Sequence, residues 1–139
     1  MITRNIKILL STFALLPAAY GAPTALDDLS GLGNSKVAAA LRSSIFLGES
    51  TVNKSITKLV NSEGIQPVND AKKNLIDLGF SCPSSGTFCQ YQGTAITYVK
   101  GEAGSEQKSI LINVTLRAAI GDEKIDVTTN LNRTISKWD

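Results

Sequence analysis

Six of the twelve carboxylates in this 139-residue chain are candidates for acid–base chemistry without histidine. A pair of carboxyl groups on either side of a glycosidic bond can hydrolyse it, one acting as acid and the other as base or nucleophile. The candidates are Asp27, Asp28, Glu102, Glu106, Asp122 and Glu123. All six fall in predicted loops or in an N-terminal arm, where the usual role of a carboxylate is a solvated surface charge.

A second candidate is the Ser-x-x-Lys motif at Ser55 and Lys58. On a helix this spacing puts both side chains on one face, and a neutral lysine could activate the serine as in penicillin-binding proteins. No Ser-Asp-Asn or Lys-Thr-Gly motif follows, and Ser105–Lys108 repeats the pattern inside a predicted loop. Serine and lysine are common enough here for a chance match, so a solvated helix face is the simpler interpretation.

Other common catalytic, metal-binding and phosphate-binding motifs are missing from the sequence. The chain has no histidine, which excludes Ser-His-Asp and Cys-His catalysis and histidine-ligated zinc. It has no phosphate-binding P-loop and no EF-hand calcium loop, and Gly31 and Gly33 follow no predicted strand. The sequence therefore predicts no catalytic residue, no metal site and no cofactor.

The first 21 residues have the pattern of a cleaved secretory signal peptide. Arg4 and Lys7 precede an apolar run over 8–19 that is too short to span a bilayer, and small residues, Ala19 and Gly21, precede the expected cut. A retained membrane anchor is the alternative. Removing the leader balances basic and acidic residues, so charge gives no support for nucleic acid or an anionic membrane as partner.

Cys82 and Cys89 are the two cysteines of the chain. In an exported protein an even pair predicts a disulfide, and the intervening residues 83–86 have turn chemistry, with proline early and glycine late. The bond would be a local structural staple, because a redox-active pair more usually has the Cys-x-x-Cys spacing.

The clearest structural signal is a long antiparallel hairpin over 109–136. Apolar residues alternate along 110–120 and again along 125–135, on either side of a four-residue turn at 121–124. This register opposes Ile120 to Ile125, Ala118 to Val127, Leu116 to Thr129, and Val114 to Leu131. The polar face opposes Asn113 to Asn132 and puts Arg117 near Asp126 and Thr128. Asn53, Asn113 and Asn132 begin N-glycosylation sequons, which are either acceptors or ordinary polar surface residues.

Upstream of the hairpin the sequence predicts three helices. The first starts at Asn34 or Ser35 and ends at Leu47, and the second starts at Ser50 or Thr51 and ends before Gly64. Pro67 opens the third, which stops in a Schellman motif at Gly79-Phe80. Two strands follow, at 88–91 and 94–100.

These elements predict an α+β fold with two to three N-terminal helices on one face of a roughly four-stranded antiparallel meander. Residues 22–33 are expected to be a flexible arm, and residues 34–139 a single domain. The order of helices before a short antiparallel sheet is similar to small cell-envelope adaptor and inhibitor domains.

The lack of catalytic, metal-binding and cofactor-binding motifs, together with the predicted signal peptide, favours an exported, non-enzymatic binding protein of the adaptor, inhibitor or immunity type. Its expected partner is another envelope or extracellular protein, with no nucleic acid and no stable membrane insertion after signal cleavage. The candidate interface residues are Phe88, Tyr91, Tyr98 and Trp138. A regular strand puts Phe88 and Tyr91 on opposite faces. The alternatives are a carboxylate-dependent hydrolase of cell wall or glycan, and a carrier of a small apolar ligand between helices and sheet.

Overall fold

The computed structural model describes residues 24–100 and 107–138, so the predicted leader, Glu102 and Glu106 lie outside the described residues. The described elements are strand β1 (Thr24–Asp28), a 3₁₀ turn (Ser30–Leu32), helix α1 (Lys36–Ser44), a 3₁₀ turn (Ile45–Leu47), helix α2 (Glu49–Val60), helix α3 (Val68–Leu78), and strands β2 (Phe88–Lys100), β3 (Gln107–Ile120) and β4 (Ile125–Trp138). The four strands form one antiparallel sheet in the order β1-β2-β3-β4. The predicted α+β architecture is confirmed. No helix in the described ranges is long and apolar enough to cross a bilayer.

The β3–β4 hairpin has the predicted register. Ile120 pairs with Ile125, Ala118 with Val127, Leu116 with Thr129, Val114 with Leu131, and Asn113 with Asn132. The apolar residues of β3 therefore share one face, called the inner face here, and Ile112, Val114, Leu116 and Ala118 on it are fully buried.

Helices α1, α2 and α3 cover this inner face. Their buried side chains recur every three or four residues, as Val52, Ile56 and Val60 do in α2. The remaining contributors to the helical side of the core are Val37, Ala38, Leu41, Ile45, Ala71, Leu75 and Leu78.

Local capping signals define the start of α1 and the end of α3. The Ser35 hydroxyl accepts a hydrogen bond from the Ala38 amide at 3.1 Å, as expected of an N-cap. At the end of α3 the Phe80 amide donates to Leu75 and the Gly79 amide to Ile76, which is the predicted Schellman pattern. Helix α2 differs from the prediction: it begins at Glu49, directly after Gly48, whose φ of 106° reverses the chain more sharply than Ser50 or Thr51 could.

Two features of the sheet differ from the prediction. Residues 88–100 form one strand, because Gly93 does not interrupt it but makes room for a neighbouring ring: a Cβ at this position would lie 2.5 Å from the Tyr91 hydroxyl. Residues 24–28, inside the predicted arm, form β1 and pair with residues 96–100 of β2. The sequence of β1 includes two aspartates and has little strand propensity of its own, so the strand depends on this pairing.

The strands are much longer than the helices that cover them. Helix α2 has 12 residues and is about 18 Å long, whereas β4 has 14 residues and is about 46 Å long. The helices therefore cover the half of the sheet nearest the β3–β4 turn, called the proximal half here. The other half, called the distal half, extends past them: Ile135 is 60% exposed although it lies on the inner face.

The predicted disulfide is present between Cys82 and Cys89, which lie seven residues apart with Cα atoms 4.2 Å apart. It ties the segment after α3 to the start of β2, beside a two-way backbone bridge between Ser81 and Gln90. Cys89 is fully buried on the inner face, so the bond also fixes the edge of the core.

Replacing Cys82 and Cys89 with serine is expected to lower the free energy of unfolding by about 2–3 kcal/mol, because the unfolded chain regains the entropy of this short loop. Urea titration of the double variant would measure the loss. Ser84→Ala, an exposed change in the same loop, is the control and should shift stability by less than about 0.5 kcal/mol. Equal stability of the double variant and the control would contradict a stabilising role for the bond.

Candidate functional site

Tyr91, one of the four predicted interface aromatics, is a core residue. It lies on the inner face and is 7% exposed, and its ring meets that of Phe80 edge to face at 6.5 Å between centroids. Its hydroxyl donates to the Leu32 carbonyl at 2.5 Å, which holds the first 3₁₀ turn on the sheet. Burial raises the pKa of the Tyr91 phenol, and nearby Arg42 offsets this effect in part.

Phe88 and Tyr98 lie on the outer face of β2, at opposite ends of the strand. Phe88 is half-buried, and the Arg117 guanidinium sits 4.1 Å from its ring centroid in a cation–π contact. Arg117 is opposite Thr128, as predicted, but its guanidinium is directed to β2. The two aromatics are roughly 33 Å apart along the strand and cannot form one patch. Trp138 pairs through its backbone with Gln107, and its side chain lies outside the described residues.

The distal half of the sheet exposes apolar side chains on both faces. On the outer face Leu26 is 70% exposed and lies opposite Tyr98, which is 38% exposed. On the inner face Ile135 lies opposite the half-buried Ile110. The cations of this inner face are Lys108, Arg133 and Lys137, and Lys108 lies directly opposite Lys137. We call this part of the molecule the distal surface.

Helix α2 covers the proximal edge of β4 with polar side chains. The Asn61 amide nitrogen donates to the Ile125 carbonyl at 2.9 Å, and its oxygen accepts from the Ile125 amide at 2.8 Å. Further along, Asn53 donates to the Val127 carbonyl at 2.7 Å, and Glu49 accepts from the Leu131 amide at 3.2 Å. Asn61 thus supplies a donor and an acceptor as a neighbouring peptide group would, and α2 stands in place of a fifth strand.

At Arg133 and Ile135 the described residues provide no such cover of the β4 edge. The Ile120 amide donates towards the β2 side, to Thr87, so Ile120 and its opposite Ile125 do not exchange hydrogen bonds. Backbone groups alternate in direction along an antiparallel strand. The N–H and C=O groups of Arg133 and Ile135 therefore point away from β3, and no hydrogen bond engages them within the described residues.

The four candidate carboxylates that the structure describes do not form a catalytic pair. Asp27 accepts a hydrogen bond from the Thr97 hydroxyl at 2.6 Å. Asp28 accepts from the Ser30 hydroxyl and amide, and these bonds hold the pKa of its carboxyl below the usual value. Asp122 and Glu123 are exposed on the β3–β4 turn.

The sheet register separates these two acidic groups. Asp27 is opposite Thr97, and Thr97 is opposite Ile110, ten residues before Ile120. Roughly 33 Å of strand therefore separates Asp27 from the turn at 121–124. Carboxylates that flank a glycosidic bond lie within about 10 Å of each other. Within the described ranges, no group of three or more acidic or cysteine side chains could hold a metal ion.

Neither the Ser-Lys pair nor the small cavity beside the α2–α3 loop forms a site. Ser55 is half-buried and Lys58 is exposed, and no hydrogen bond joins them. A cavity between the α2–α3 loop and the β3–β4 turn, bordered by Asn61, Ile65 and Ile120, has a volume of about 10 Å³, which is room for one water rather than for an apolar ligand.

The three sequons differ in accessibility. The Asn53 amide is half-buried and donates to both Val127 and Thr129, so a glycan on this nitrogen would remove at least one of these two hydrogen bonds. Asn113 is half-buried on the outer face, and Asn132 is exposed there.

Comparisons with protein-family models, with curated proteins and with solved structures each gave no match.

Tyr91→Phe is expected to cost about 1 kcal/mol near neutral pH, because the Leu32 carbonyl loses its donor. The raised pKa of Tyr91 means that the folded state holds the phenol proton more tightly than the unfolded state. Its stabilising contribution is complete below the unfolded pKa and is lost as pH rises above about 10. Urea titrations between pH 7 and 11 should show that the free energy of unfolding falls less steeply with rising pH for Tyr91→Phe than for wild type. Tyr98→Phe is the control; if its decline were as shallow, the effect would not come from Tyr91.

Asn61→Ala is expected to lower the free energy of unfolding by about 1–3 kcal/mol, because both backbone groups of Ile125 lose their partner. Lys58→Ala, on the exposed side of the same helix, should be within about 0.5 kcal/mol of wild type. Chemical denaturation of the two variants gives the comparison. Equal stabilities would show that water replaces the Asn61 side chain at the edge without cost.

Proposed function

We propose that this chain is an exported, non-enzymatic protein of the adaptor, inhibitor or immunity type, and that it binds an envelope or extracellular protein through its distal surface. The observation that carries this proposal is the length of the sheet. The distal half extends beyond the helices and has exposed apolar side chains on both faces. The outward backbone groups of Arg133 and Ile135 have no hydrogen-bond partner in the part of the chain that the structure describes.

The core of the proximal half does not require strands as long as these. The buried part of the core ends near Ile112 on β3, yet β2, β3 and β4 continue past it as regular paired strands. Strands with both faces in water are marginal on their own. Exposed Leu26 and Ile135 are unremarkable singly, but they occur at the same end of the sheet, on opposite faces. A partner that covers this end would bury them both.

The disulfide supports the proposed location. Such bonds persist in oxidising compartments, namely the periplasm and the extracellular space, and are rare where thiols are kept reduced. This agrees with the signal-peptide pattern of residues 1–21, which is known from the sequence alone.

A hydrolase receives no support from the described carboxylates. Asp27 and Asp28 are engaged by Thr97 and Ser30, while Asp122 and Glu123 occupy an exposed turn at the other end of the sheet. A carrier of an apolar ligand would need an enclosed apolar cavity. The cavity beside the α2–α3 loop is too small, and a larger concavity of about 520 Å³ at Glu49, Asn53 and Thr129 is open and lined by polar residues.

A photoreactive amino acid in place of Leu26 or Ile135 should crosslink a discrete protein partner in the envelope or medium of the native host. Both positions are exposed in the distal half. The same probe in place of Ser84 or Glu123, exposed in the proximal half, is the matched control and should give little or no adduct. Intact mass spectrometry would give the partner mass from the adduct and the mature N-terminus from the mass of the uncrosslinked chain. Adducts from the proximal positions only, or from none of the four, would contradict the proposal.

A further inference from the structure

We infer that the segment Arg133–Lys137 of β4 is a strand-addition site whose occupant is an extended segment of a partner protein, with acidic side chains at alternate positions around an apolar one. This inference rests on the proposed function and specifies the binding mode and the chemistry of the partner. In strand addition a peptide extends a sheet by pairing with its exposed edge, so that backbone hydrogen bonds provide affinity and side chains provide selectivity.

The edge is competent for such pairing. Strand β4 follows β3 without a bulge over all 14 residues, so its distal edge is regular, and it has no proline. The backbone groups of Arg133 and Ile135 point outward without a hydrogen bond within the described residues. The side chains of α2 stop at Leu131, the position that Glu49 contacts. An added strand can thus begin where the helix ends.

The side chains along this edge select the partner. Arg133, Ile135 and Lys137 alternate on the inner face, and all three are exposed. A residue directly opposite each one in an added strand would share that face. Acidic residues fit opposite Arg133 and Lys137, and Lys108, directly across from Lys137 on β3, adds to the positive charge.

A β-branched apolar residue fits opposite Ile135, where Ile110 continues the apolar surface. The outer face of the same segment is polar and uncharged, with Asn132, Thr134 and Ser136. The partner pattern is therefore acidic-x-apolar-x-acidic with polar residues between. The added strand continues the antiparallel order of the sheet, so each residue directly opposite Arg133, Ile135 or Lys137 turns its backbone groups towards β4.

A second copy of the chain fits this edge poorly. Antiparallel pairing of two β4 strands in one continuous sheet brings the Lys108, Arg133 and Lys137 side chains of both copies to the same face. Like charges close together across strands are destabilising. On this distal inner face the anionic side chain of the described strands is Asp27 of β1, which lies three strands from β4 and accepts from Thr97, so it does not offset the cations beside the β4 edge. The charge distribution favours an acidic partner over self-association.

The first test uses peptides. Thr-Glu-Thr-Val-Thr-Glu-Thr is titrated into the isotope-labelled, disulfide-intact protein at low ionic strength, and amide shifts are followed by NMR. We expect weak binding that shifts the Arg133 and Ile135 amides and weakens as salt is added. The same peptide with lysine in place of glutamate should bind at least roughly tenfold more weakly.

Backbone methylation separates strand addition from simple charge attraction. In the proposed pairing the valine N–H of the peptide points at β4, and the N–H groups of the flanking threonines point away. N-methylation of the valine should weaken binding by roughly tenfold or more, whereas N-methylation of a flanking threonine should change it by less than about threefold. Equal losses for the two methylated peptides would overturn strand addition.

A charge swap tests the side chains. Arg133→Glu should lower the affinity for the acidic peptide about tenfold and raise the affinity for the lysine peptide. The substituted side chain would repel a glutamate placed opposite it and attract a lysine. Lys73→Glu makes the same change in net charge at an exposed position of α3 and should leave both affinities unchanged. Equal effects of the two substitutions would overturn the assigned site.

Two further outcomes would also overturn this inference. One is absence of peptide binding together with a dimer in analytical ultracentrifugation, which would assign the edge to a second copy. The other is a partner crosslinked from position 26 but not from position 135, which would move the binding surface to the outer face. That second result would leave the proposed function standing, so the two proposals fail separately.

Discussion

Burial of one face of β3 is the constraint on which the other elements depend. Ile112, Val114, Leu116 and Ala118 alternate with polar residues and are fully buried, so a slip of one residue would move the whole set into water. This requirement fixes the pairing with β4 and β2 and decides which face the three helices cover. It acts only over the proximal half, because helices of 9 to 12 residues cannot reach along strands of 13 to 14.

Helix α2 packs against the core with one stripe of side chains and shields the edge of β4 with another. Val52, Ile56 and Val60 supply its apolar stripe, and Glu49, Asn53 and Asn61 lie on an adjacent polar one that faces β4. An uncovered strand edge invites pairing with other chains, and proteins commonly shield such edges with helices or charges. Here α2 and Asn61 shield the edge over 125–131, and cationic side chains lie beside the edge beyond it.

The features predictable from sequence are those whose signals are local. Period-two alternation located the hairpin and its register, the spacing of Cys82 and Cys89 indicated the disulfide, and Gly79-Phe80 indicated the Schellman motif. The missed features depend on residues far apart in the chain. The β1 strand exists only through pairing with β2, some 70 residues later. The bonds from Asn61 to Ile125 and from Tyr91 to Leu32 span 64 and 59 residues, and no pattern around either residue encodes its partner. The distal surface also lacks a local signal, because it arises from the difference in length between the helices and the strands that they cover.

The uneven cover of β4 also determines how the molecule would respond to mechanical load. A force that pulls the Trp138 end of β4 away from the sheet would break the ladder to β3 one residue pair at a time, as a zipper opens. Resistance would rise abruptly at Leu131, where the Glu49 bond must break in the same step, and again at Val127 and Ile125, where Asn53 and Asn61 hold the strand. A chain tethered to a partner by this end would thus give way in two stages, with a half-opened sheet between them.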